Sequence, residues 1–112
     1  MIYGLKKLYE GDWENDMKHG KGYEILTNGS RYEGGYLNGK AEGFGIFTWP
    51  NGEVYEGEWK NGLKHGSGMW KGVRGESYYG EWKSGKAEGY GVHIWRNGKK
   101  RNYQDNLYRR KI

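Results

Sequence analysis

The chain repeats itself every 23 residues, and no insertion or deletion interrupts the period. Segments opening at Tyr9, Tyr32, Tyr55 and Tyr78 each read Tyr-x-Gly-x-aromatic, the last residue being Trp13, Tyr36, Trp59 and Trp82. Eleven residues after each opening tyrosine a Gly-x-Gly pair follows: Gly20 and Gly22, Gly43 and Gly45, Gly66 and Gly68, Gly89 and Gly91. A further glycine closes each unit, at Gly29, Gly52, Gly75 and Gly98. Such a period marks a small supersecondary unit that buries its apolar face against copies of itself, so stability should grow with the number of units. A longer period is superimposed: Lys18-His19 and Lys64-His65 hold a slot that Ala41-Glu42 and Ala87-Glu88 fill in the alternate units.

Within Tyr-x-Gly-x-Trp, alternation puts aromatic rings and glycine on one face and residues such as Glu56 and Glu58 on the other. That is the signature of a half-buried strand. Asn38-Gly39, Asn61-Gly62 and Ser84-Gly85 supply the left-handed residues of a hairpin reversal. Asn28-Gly29, Asn51-Gly52 and Asn97-Gly98 mark a second reversal between units. The expected fold is all-β, a single elongated, twisted antiparallel meander with two strands per unit. At about 4.8 Å between strands it forms a ribbon roughly 40 Å long. A register that opposes Trp59 with Gly66, Gly57 with Gly68, and Tyr55 with Trp70 would lay each ring over bare glycine backbone. Rings stacked from unit to unit would then form a linear core, each offset pair adding about 0.5–1.5 kcal/mol beyond burial.

Composition agrees with such a core. Apolar residues are only 34% of the chain, yet aromatics are 17%, so the hydrophobic groups are mostly Tyr and Trp. The 22 glycines are structural, because disordered low-complexity chains are poor in aromatics. The absence of cysteine excludes disulfides and thiolate metal sites and fits a reducing compartment. No segment is apolar enough for a signal peptide or a membrane span, so a cytoplasmic location is expected. The net charge of +5 is unevenly placed. Residues 1–92 carry 12 Lys and Arg against 13 Asp and Glu, a net −1, whereas residues 93–112 carry 7 against 1, a net +6.

The run Tyr55-Glu-Gly-Glu-Trp59-Lys-Asn-Gly62-Leu-Lys-His65-Gly66-Ser-Gly68 closely resembles the MORN repeat (membrane occupation and recognition nexus). The resemblance covers residues 9–98 as units 9–31, 32–54, 55–77 and 78–98, with 1–8 as an opening partial strand or cap and 99–112 as a terminal strand or cap with a basic tail. It implies a curved all-β ribbon whose groove engages proteins and, in some members, lipids. Members include axonemal, junctional, cytoskeletal and organelle-positioning scaffolds, and repeats attached to lipid kinases or methyltransferases. Three departures stand out: Asp16 replaces a hairpin glycine, Tyr36 replaces tryptophan, and Gly72-Val73-Arg74 changes the third inter-unit turn.

Catalysis is not expected. Of three histidines, His19 and His65 recur at one repeat position and read as motif residues. At about 19 Å apart, two units along the ribbon, they cannot share a metal within one chain. Gly-x-Gly without a following helix is no nucleotide fingerprint. The acidic balance of the repeat body argues against nucleic acid. No cofactor is expected. Two binding readings remain. In one, a groove lined by Trp13, Tyr32, Tyr36, Tyr55, Trp59, Tyr78 and Trp82 clasps a segment of a partner protein within a larger complex. In the other, Lys99, Lys100, Arg101, Arg109, Arg110 and Lys111 dock the ribbon on anionic lipid, at roughly 1 kcal/mol per basic residue near the surface. By family analogy the setting is ciliary, cytoskeletal or peripheral to a membrane. The unpaired edges of an open sheet also offer a route to a homodimer.

Overall fold

A computed structural model describes residues 8–103. Among these residues nine strands form one open sheet in strict sequence order, every neighbour antiparallel. They are β1 (Leu8–Glu14), β2 (Met17–Ile25), β3 (Arg31–Leu37), β4 (Lys40–Thr48), β5 (Val54–Lys60), β6 (Leu63–Lys71), β7 (Ser77–Lys83), β8 (Lys86–Ile94) and β9 (Lys100–Tyr103). The first eight are the paired strands of the four units. The ninth lies in the segment after Gly98 where a terminal strand was expected, and it pairs with β8 from Gly91↔Tyr103 to Ile94↔Lys100. Residues 1–7, which belong to the expected opening segment, lie outside the described residues. The principal extents are 44 × 34 × 18 Å, so the sheet is a ribbon about as long as the strand spacing implies.

Both kinds of reversal rest on left-handed residues. Asn38 and Gly39 take φ values of 51° and 85°, and Asn61-Gly62 and Ser84-Gly85 repeat them. Two positive φ angles in succession match the right-handed twist of the strands they join. In the first unit Asp16 holds this conformation without glycine, at φ 65°, as a short polar side chain tolerates. Between units, a backbone bond closes each turn: Leu26 N–H to Ser30 O, Trp49 to Glu53, Gly72 to Glu76 and Trp95 to Lys99. Asn28, Asn51 and Asn97 each accept from the amide two residues on. The third turn closes the same way without asparagine, because the Glu76 carboxylate accepts from the Arg74 amide.

The register holds in part. Tyr55 faces Trp70 and Gly57 faces Gly68, as expected, but Trp59 faces Lys64 and not Gly66. Gly66 instead faces Trp82 of the next unit. Two local constraints compete: the two-residue turn fixes Lys60↔Leu63 and Trp59↔Lys64, while the glycine contact fixes Gly57↔Gly68. The mismatch is absorbed as a bulge in β6, where Gly66 takes φ +64°, and the same irregularity recurs in β1/β2, β3/β4 and β7/β8. The bulge exposes amide groups that an acid on the other face takes up. Asp12 accepts from Lys21 N–H at 3.1 Å and Glu81 from Tyr90 N–H at 3.1 Å. The second unit has Gly35 in that position.

Candidate functional site: the aromatic face

One face of the sheet carries an unbroken file of eight rings: Trp13, Tyr9, Tyr36, Tyr32, Trp59, Tyr55, Trp82 and Tyr78. Successive centroids lie 5.0–5.6 Å apart and the planes meet at 78–89°. The rings therefore meet edge to face, where offset stacking was expected. Each opening tyrosine (Tyr9, Tyr32, Tyr55, Tyr78) touches the i+4 ring of its own unit, and Tyr9, Tyr32 and Tyr55 also touch that of the next, so the file is also the contact between units. Edge-to-face packing sets the positive ring rim against a neighbour's negative face and adds about 0.5–1.5 kcal/mol per pair beyond burial.

Five of these rings place their polar tips on backbone carbonyls. Tyr9, Tyr32 and Tyr55 donate their hydroxyls to the carbonyl three residues on. Trp59 Nε1 donates to Gly45 O and Trp82 Nε1 to Gly68 O, each reaching back into the preceding unit. Tyr36 lacks an indole N–H, and its hydroxyl donates instead to Glu24 at 2.6 Å. Glu24 is buried and forms an ion pair with Lys18 at 2.8 Å. Burial pushes the phenols of Tyr32, Tyr36 and Tyr55 upward, and at Tyr36 the carboxylate of Glu24 adds to it.

Of the seven residues expected to line a partner groove, six are buried in the file: Tyr32, Tyr36, Tyr55, Trp59, Tyr78 and Trp82. Trp13, at the first unit, is 59% exposed. Two adjoining depressions lie beside the buried rings, and both are lined by Phe47, Trp59 and Gly62. The first, about 260 Å³, is floored by Tyr32, Tyr36 and Ala41. The second, about 310 Å³, is lined by Trp49, Leu63 and Lys64. Sequence reasoning missed Phe47, Trp49 and Leu63. The signal for Ala41 and Lys64 was present in the two-unit alternation. Ala41 and Lys64 face Tyr36 and Trp59 from the neighbouring strand, so this slot looks onto the aromatic face.

The second expected site is only partly described. Lys99, Lys100 and Arg101 are exposed at the β9 end of the sheet, and Arg109, Arg110 and Lys111 lie outside the described residues. The face opposite the ring file carries the exposed side chains of Phe44, Tyr79 and Tyr90. Among the described residues no group of three or more His, Cys, Asp or Glu is placed to hold a metal. His19 lies 3.3 Å from Glu14, and His93 is buried with its ring 4.0 Å from that of Trp95.

Among the described residues the meander holds no helix and repeats one hairpin pattern four times, which defines a repeat module. The MORN repeat matches residues 9–31, 32–54, 55–77 and 78–100, so the chain belongs to the MORN-repeat family. Repeats of this family are generally non-catalytic modules, often serving protein or membrane interaction.

Proposed function

We propose that this protein is an assembly module, a subunit of a larger complex that holds a segment of a partner protein along its aromatic face. The observation that carries this reading is the pair of adjoining apolar depressions beside the ring file, at Ala41 and at Lys64. They sit on elements that need no rearrangement to receive a ligand, because the rings beneath are fixed by their neighbours and by backbone bonds. The buried rings shape the groove, and Phe47, Trp49 and Leu63 supply its contact surface.

A photo-crosslinking residue at Leu63, and separately at Tyr90 on the opposite face, tests this in extract from the native source. Leu63 should capture a discrete partner, and the capture should be lost when Ala41→Met fills the first depression while circular dichroism stays unchanged. Capture from Tyr90 alone would move the interface to the other face. The exposure of Lys99 and Lys100 at the sheet's end supports a second reading, attachment to anionic membrane. In that case sedimentation with phosphatidylserine vesicles should fall steeply with salt and with Lys99→Gln/Lys100→Gln.

A further inference from the structure

Two lysines, Lys18 and Lys64, occupy the same slot of alternate units and project onto the aromatic face, but their surroundings differ. Lys18 lies 5.6 Å from the ring centroids of Tyr9 and Tyr36 and is neutralised by Glu24 at 2.8 Å. In the third unit the position of Glu24 is taken by Trp70. Lys64 has no carboxylate among the described residues within ion-pair distance, and its ammonium is held by three rings, Trp49 at 5.2 Å, Tyr55 at 5.7 Å and Trp82 at 4.9 Å. Ring faces attract a cation but do not neutralise it. Burial lowers the lysine's proton affinity, and Glu53 opposes this from a distance. The ammonium is therefore a half-buried positive charge on the wall of an apolar depression, with no carboxylate of the described residues paired to it.

We infer that Lys64 receives a carboxylate from the partner, so that the segment bound along this face carries an Asp or Glu beside an apolar side chain seated over Ala41. This rests on the groove reading above and specifies its ligand. The two contact points lie one unit apart, about 10 Å across two strand spacings, which an extended segment spans in three residues. An acidic side chain there completes for Lys64 what Glu24 does for Lys18. The desolvated setting makes the pair stronger than one on an open surface.

A random-peptide display library, selected on the intact chain and counter-selected on Ala41→Met, supplies the probe. The enriched peptides are then synthesised and titrated. They should share an acidic residue, and replacing it by its amide should weaken binding about tenfold to the intact chain but hardly at all to Lys64→Met. Lys64→Arg should retain binding. Enriched peptides without an acid, or with equal affinity for Lys64→Met, would overturn the inference and leave the groove reading in place. If no peptide distinguishes the intact chain from Ala41→Met, the groove reading falls and the inference with it.

Discussion

Gly68 has no room for a side chain: a methyl group there would overlap the ring of Tyr55. The same collision stands at Gly22, Gly45 and Gly91 with Tyr9, Tyr32 and Tyr78. None of these four glycines has a positive φ, so they are required by the space a ring occupies and not by backbone conformation. Gly68→Ala should therefore destabilise the protein by about 1–3 kcal/mol, as overpacking does. In a Tyr55→Leu background the cost should shrink by at least about 0.5 kcal/mol, a coupling readable from urea denaturation of the four members of the cycle. The sequence made the glycine–ring relation legible, since the two recur at a fixed offset. It did not reveal that Trp59 lies away from Gly66, because the bulge adds two residues to one strand. A shift of two preserves which side chains share a face, so alternation along the sequence carries no trace of it.

At the scale of the hairpin, the bulge is a recurrent element with its own support. The acid between glycine and tryptophan read as a solvent-facing residue, yet Asp12 and Glu81 bind the amide groups that the bulge frees. Glu81→Ala should raise the hydrogen-exchange rate of the Tyr90 amide severalfold and cost about 1 kcal/mol, with Glu81→Gln intermediate because its carbonyl still accepts. Hairpins are also tied to one another at their tips. Gly39, Gly62 and Gly85 donate backbone N–H groups to Lys18, Ala41 and Lys64 of the preceding unit at 2.9–3.0 Å. The turn glycines were legible as turn formers, but this second use was not, since it depends on where the tip lands against the neighbouring unit.

Across the whole molecule the ring file joins all four units into one core, and its phenols make that core sensitive to alkali. Tyr32, Tyr36 and Tyr55 resist ionisation in the folded state beyond the ordinary value of 10.0, whereas the unfolded chain ionises them near it. Their contribution is therefore complete below about pH 10 and is lost progressively above it. The melting temperature should be unaffected by these groups up to about pH 9 and then fall steeply, with a late class of tyrosines in the ultraviolet titration. The period and the meander were legible because every unit repeats the same solution. The depressions were legible only in part: Tyr32, Tyr36 and Trp59 stand at positions aromatic in every unit, whereas Phe47, Trp49 and Leu63 stand at positions whose residue changes from unit to unit. A ribbon of equal hairpins has near-translational symmetry, and a ligand laid along it could bind in several frames displaced by whole units. The salt bridge between Lys18 and Glu24 breaks that degeneracy. It silences one of the two lysine positions, so of that pair only Lys64 is left without a carboxylate of the described residues, and a segment bound as proposed would have one frame set by it.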